Sequence, residues 1–257
     1  MKKLAAILAL SVALVAAVTP LSHAAAESSG FIALKTDRIV VRAYVAGPSD
    51  AGAGVLVVHD YFGISDFTKA ATDRLGAMGY RALAIDLYGG RSATTHEPAA
   101  RLMKAFQTQD RRITDLTLHA GLDALKRPGR RLATLGFSVG GIEALQAALS
   151  DPSDVGAVVI VYGSGFNQIE PTRLARLQGP LLMITGALDE GSIQASVDLL
   201  KHAAGMEQRV ETVVLPKLGH AYAQPLFDGG KGYSPEGART TWRLIDDFLA
   251  RTVPATH

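Results

Sequence analysis

Leu132-Ala133-Thr134-Leu135-Gly136-Phe137-Ser138-Val139-Gly140-Gly141 is the stretch whose reading decides the fold. A short apolar run ends on Phe137, and Ile142 to Leu149 then carries apolar residues at helical spacing. Between them lies a Gly-x-Ser-x-Gly turn, where small residues relieve crowding as a strand reverses sharply into a helix. The stretch therefore predicts strand, exposed serine, helix, with Ser138 just beyond the carboxyl end of its strand.

Outward from this point the same signature recurs. Gly54 to His59, Ala82 to Leu87, Val155 to Tyr162, Leu181 to Ala187 and Val210 to Leu215 are short continuous apolar runs, separated by sequence of helical length. Runs of this kind suit strands covered on both faces, and their alternation with helices predicts an α/β fold with a mostly parallel, doubly wound sheet. Phe31 to Leu34 and Ile39 to Val45, joined by the polar Lys35-Thr36-Asp37-Arg38 turn, predict an antiparallel pair at one edge. In such sheets ligands sit beyond the carboxyl ends of the strands. That rule selects His59-Asp60-Tyr61, Tyr88, Ser138, Gly163-Ser164, Asp189 and His220 as the candidate site residues.

A serine hydroxyl is protonated at neutral pH, so it attacks only when a histidine takes its proton and an acid holds that imidazole in one tautomer. Of the histidines, His220 lies in a loop leaving the last strand. His119 falls within helical sequence, His202 near a helix end, His96 before a helix and His257 at the terminus. For the acid, Asp189 directly follows Leu181 to Ala187; Glu190 is its nearest competitor, and Asp198 falls inside a helix. The order Ser138, Asp189, His220 is that of the α/β-hydrolase fold. A tetrahedral intermediate needs two N–H donors, one after the nucleophile and one after an earlier strand, which predicts the Val139 and Tyr61 amides. Phe62, Tyr88 and Tyr222 are the expected walls of a substrate pocket. His59 and Asp60 are read as a structural polar pair, since no second ligand cluster accompanies them; no metal and no cofactor are expected.

The N-terminus has a different character. Met1-Lys2-Lys3, an apolar run from Leu4 to Val18, and small residues through Ala26 predict a signal peptide over 1–26, with cleavage near Ala24 or Ala26. That leaves 27–257 as a single domain, exported to the periplasm or the medium with no stable membrane anchor. The chain has no cysteine, which excludes disulfides, a thiolate nucleophile and a lipid-modified cysteine. Formal charge is +2, and zero once Lys2 and Lys3 are lost, a balance that argues against a nucleic-acid partner.

Taken together, the motifs resemble the dienelactone hydrolase family along nearly the whole chain after residue 26. His59-Asp60-Tyr61-Phe62-Gly63 stands where the family has a strand followed by an acid and Phe-Gly, and Ala84-Ile85-Asp86-Leu87-Tyr88 is similar to its Pro-Asp-Leu-Tyr segment. Gly136 to Gly141 resembles its nucleophile elbow, Gly186 to Asp189 its acid loop, and Gly219-His220 its base loop. The resemblance implies hydrolysis of carboxylic esters or lactones. Two positions depart from it: Ser138 replaces the cysteine of the namesake enzymes, whose thiol an acid at the position of Asp60 helps control, and Gln224 stands in place of an arginine used on the anionic lactone. These departures imply a serine esterase acting on esters or lactones, and they argue against dienelactone itself as its substrate. A peptidase, a thioesterase or a non-catalytic binding protein would share the same residues and fold.

Overall fold

The computed structural model describes residues 29–203, 205 and 209–255. The predicted signal peptide therefore lies outside the described residues. Eight strands form one sheet: β1 (Gly30–Lys35), β2 (Val40–Ala46), β3 (Ala53–Val58), β4 (Arg81–Ile85), β5 (Arg131–Phe137), β6 (Val155–Val161), β7 (Leu181–Gly186) and β8 (Val210–Leu215). Their spatial order is β1-β2-β4-β3-β5-β6-β7-β8. β2 runs antiparallel to both neighbours, and every pairing from β4 through β8 is parallel. The expected mostly parallel, doubly wound sheet and its antiparallel edge pair are both present. Thr36 closes the turn between β1 and β2, its hydroxyl oxygen accepting the Arg38 and Ile39 amides.

Among the described residues, seven α-helices cover the sheet: α1 (Asp66–Ala77), α2 (His96–Thr108), α3 (Arg111–Leu125), α4 (Val139–Ser150), the short α5 (Pro171–Leu174), α6 (Glu190–His202) and α7 (Pro235–Thr252). Because side chains alternate along a strand, a run that is apolar throughout needs cover on both faces. In β3, Leu56 and Val58 join the core under α2, α3, α4 and α6, while Val55 and Val57 join the core under α1 and α7. Element ends fall within a residue or two of the sequence reading; His96, expected to precede a helix, is its first residue.

The position of β3 places the site. The chain passes from β3 to β4 on one side and returns to β5 on the other, so strand order reverses at β3. In open α/β sheets the loops leaving the carboxyl ends of the strands on either side of such a reversal diverge, and ligands bind there. Asp60-Tyr61 follows β3, and Ser138 follows β5.

Candidate active site

Ser138 sits between β5 and α4 with φ 53° and ψ −120°, a conformation that costs a non-glycine residue on the order of 1–3 kcal/mol. It persists because its surroundings fix it. Its N–H donates to the Val161 carbonyl at 3.0 Å, and its own carbonyl accepts the Gly141 N–H at 2.9 Å. Two glycines make the turn possible: a Cβ on Gly136 would lie 2.0 Å from the Gly140 carbonyl oxygen, and one on Gly140 would lie 2.4 Å from the Val58 and His59 carbonyl oxygens. The motif's glycines thus serve close backbone approach, which lets α4 start tight against β3 and β5.

From this elbow the Ser138 Oγ lies 2.9 Å from His220 Nε2. His220 Nδ1 lies 2.7 Å from Asp189 Oδ2. Since a carboxylate only accepts, Nδ1 carries the proton and Nε2 is left to accept from the serine. The three residues named from sequence are brought together in one relay. Asp189 also caps α6: its Oδ1 accepts the Ser192 N–H at 3.1 Å and its Oδ2 the Ser192 hydroxyl at 2.6 Å. Burial pushes the Asp189 carboxyl upward, but hydrogen bonds from His220 and Ser192 outweigh it and hold the group below its ordinary value. Ser192 was not singled out in the sequence, although Asp189-Glu190-Gly191-Ser192 is a helix-start pattern that points to it. Glu190, the competing acid, begins α6, and Asp198 lies inside that helix with the Gln194 amide as partner.

Imidazole position is fixed further by aromatic edges. Tyr162 and Phe227 pack against the His220 ring at centroid distances of 5.5 and 5.6 Å. Neither contact was legible in the sequence: Tyr162 is remote along the chain from His220, and Phe227, seven residues beyond it, lacks a motif that would mark the contact. His119 instead pairs with Asp123 on α3, away from the relay.

Val139 opens α4, so its N–H is one of the donors a helix leaves without an internal partner. In the loop after β3, Phe62 N–H donates to Asp60 Oδ1 and Gly63 N–H to the Asp60 carbonyl, while among the described residues Tyr61 N–H donates to no protein acceptor. Both amides named for an oxyanion are therefore unspent. The Tyr61 side chain is turned away, its hydroxyl donating to the His96 carbonyl at 3.1 Å.

The expected pocket walls need correction. Phe62 and Tyr222 are 0 % exposed and Tyr88 is 3 % exposed, so none presents a face to a substrate. Phe62 packs in the core under α2, α3, α4 and α6, and Tyr222 in the opposite one, its hydroxyl bonded to Thr241. Tyr88 points its hydroxyl at Met103. The reason is general: large apolar residues flanking strand ends more often fill the layer between loop and helix than line a cleft.

His59 and Asp60 do form a structural pair of a specific kind. His59 Nδ1–H donates to the Asp60 carbonyl at 2.7 Å and Nε2 accepts the Leu87 N–H at 3.1 Å, which leaves no nitrogen for a metal. Burial lowers the pKa of His59, in keeping with this neutral form. Among the described residues, no group of three or more His, Cys, Asp or Glu could hold a metal ion. The Asp60 carboxyl accepts from Phe62 N–H and, at 2.5 Å, from Gln224 Nε2. Burial raises its pKa to about 6.

With this geometry in view, the model of the dienelactone hydrolase family matches residues 41–253. The chain belongs to that family. Among its curated relatives, a Methylorubrum extorquens protein named "Putative carboxymethylenebutenolidase" is 29% identical over 263 residues, covering 94% of this chain and 87% of the relative. One of the same name from Saccharolobus solfataricus is 24% identical over 253 residues, covering 84% and 96%. Among solved structures, a dienelactone hydrolase-like promiscuous phosphotriesterase from metagenomic libraries superposes with a TM-score of 0.73 at 20% identity, covering 88% of this chain and 98% of that one. At that identity the likeness carries the fold alone. This family member has serine where the elbow's nucleophile belongs, and its relay is complete.

Proposed function

We propose that the chain hydrolyses carboxylic esters or lactones through an acyl-serine intermediate. The observation that carries this is the continuous relay from Ser138 Oγ to His220 Nε2, and from His220 Nδ1 to Asp189 Oδ2, at 2.9 and 2.7 Å. His220 Nε2 takes the hydroxyl proton as Ser138 Oγ attacks the carbonyl carbon. Charge moves onto the carbonyl oxygen, and the Tyr61 and Val139 amides donate to it; one such donor is worth roughly 100- to 1,000-fold in rate. His220 then gives its proton to the departing alkoxide, which in a lactone stays tethered to the acyl group. Water repeats the sequence in reverse roles, and Asp189 holds the imidazole tautomer throughout. Family membership supports the ester or lactone as substrate class. The test is pre-steady-state release of p-nitrophenol from a short-chain ester. A burst stoichiometric with enzyme, absent in Ser138→Ala, is expected; steady release by Ser138→Ala at the wild-type rate would refute the reading.

We also propose that the protein is exported, supported by the charged start, apolar run and small residues of 1–26. The N-terminal mass of the mature protein decides it: a start near residue 25 or 27 supports export, and retention of Met1 in the soluble product overturns it.

A further inference from the structure

Two loops supply the moving parts of this site. Tyr61, in the loop after β3, offers an oxyanion donor, and His220, in the loop after β8, moves the proton. They belong to segments some 160 residues apart. A proton transfer and a developing oxyanion must be served together, so the distance between these loops matters to the rate more than to substrate capture. One side-chain bond crosses between them. Asp60 immediately precedes Tyr61, and its Oδ2 accepts Gln224 Nε2 at 2.5 Å, four residues beyond His220.

Every side-chain polar atom of this pair is spoken for. Asp60 Oδ1 accepts the Phe62 N–H at 2.9 Å, and Gln224 Oε1 accepts the Leu226 N–H at 3.0 Å. Asp60's carbonyl accepts the Gly63 N–H, and Gln224's N–H donates to the Ala221 carbonyl, so each side chain is anchored to the turn of its own loop. Ala221 itself is held at φ 55°, next to His220. With Asp60 3 % and Gln224 1 % exposed, water cannot substitute for a lost partner. A buried carboxylate in an otherwise apolar layer costs stability, and an apolar pair of the same volume would have closed the gap more cheaply.

We propose that Asp60 and Gln224 are a positioning pair, which sets the Tyr61 amide at a fixed place relative to His220 and thereby acts on the chemical step. This rests on the acyl-serine reading above. Neither side chain hydrogen-bonds Ser138, Asp189 or His220; the pair works through the two loops. Disturbing it shifts the oxyanion donor relative to the base, and misplacement on the order of 1 Å costs up to about 100-fold in rate.

Steady-state kinetics at pH 8 on a short-chain ester, for wild type, D60N, Q224E, the double variant and Q224M, test the proposal. In D60N two NH2 groups oppose each other, and in Q224E two carboxylates do. The double variant restores every bond with donor and acceptor exchanged: the Asn NH2 donates to the new carboxylate, which still accepts Leu226 N–H, and the Asn oxygen still accepts Phe62 N–H. Each single variant is expected to lose about 10- to 100-fold in kcat with KM changed less than threefold. Affinity for phenylboronic acid, whose adduct on Ser138 is tetrahedral, falls in step with kcat. The double variant returns both to within about fivefold of wild type. Q224M, which keeps the volume and removes the bond, reports the same loss should a like-group variant fail to fold. Single variants with unchanged kcat, losses confined to KM, or a double variant as poor as its worse parent would each overturn the pairing. Turnover by Ser138→Ala at the wild-type rate would instead overturn the acyl-serine reading, so the two failures are distinct.

Discussion

Asp189→Asn isolates the one element of the relay that never touches substrate. Asp189 Oδ2 accepts the His220 Nδ1 proton at 2.7 Å and the Ser192 hydroxyl at 2.6 Å, and Oδ1 accepts the Ser192 amide at 3.1 Å. An asparagine keeps its oxygen on the Ser192 amide, and the Ser192 hydroxyl can turn to accept from the new NH2. That NH2 also faces His220 Nδ1, which must then be unprotonated. The proton moves to Nε2, where it points at Ser138 Oγ across 2.9 Å, and the base is no longer available. Loss of the correct tautomer costs on the order of 10⁴ in kcat. That equals about 5.5 kcal/mol of transition-state stabilisation. Folding is nearly untouched, since the hydrogen bonds are conserved in number and the net loss is about 1 kcal/mol or less. The assay pairs kcat on a neutral aryl ester at pH 8 with the melting temperature. A loss smaller than tenfold, with the protein folded, would refute the assignment of Asp189 as the acid that holds His220.

Three further outcomes follow from the same geometry. Gly140→Ala brings a methyl group to 2.4 Å from two backbone carbonyl oxygens, and overpacking of this kind costs about 1–3 kcal/mol or more; calorimetry should show a clear drop in Tm, whereas Gly219→Ala, with nothing within 4 Å, should leave Tm unchanged. Neutral esters should exceed carboxylate-bearing analogues by about 100-fold in kcat/KM, since an unpaired carboxylate is costly to bury; Gln224 is spent on Asp60, and Arg91 donates to the Tyr88 carbonyl. A preference for the anion that fades with salt and vanishes in Arg91→Ala would contradict this. Asp60, raised to about 6 by burial, binds its proton more tightly in the folded chain than in the unfolded one. Its favourable contribution is thus complete below about pH 3.9 and is lost as pH rises through about 6. The Tm of wild type minus that of Asp60→Asn should therefore fall between pH 4 and 6.5 and level off above; a rise over that window would contradict it.

The parts legible in sequence were those with local causes. The apolar runs are strands because six or seven continuous apolar residues, short for a helix and rich in β-branched side chains, suit a sheet covered on both faces, and the helices between them make the sheet parallel. Ser138 was legible through its glycines, whose close contacts with Val58, His59 and each other are what the motif encodes. Asp189 and His220 were legible by position, as polar residues directly beyond strand ends. What was not legible depends on packing between distant segments. The sequence reads Phe62 and Tyr222 as cleft walls, yet both are enclosed, because nothing local tells which side of a loop faces a helix. Gln224 reads as a residue available to substrate, and its engagement with Asp60 is visible only once the loops after β3 and β8 are brought together.

The central claim is that Ser138 is the nucleophile, and covalent trapping tests it most directly. Wild-type protein incubated with a fluorophosphonate, digested and mapped by mass spectrometry should carry one phosphonyl group on the peptide containing Ser138, with none on Ser138→Ala. An adduct on Ser164, the exposed serine after β6, or an unlabelled protein that still turns over esters, would contradict it.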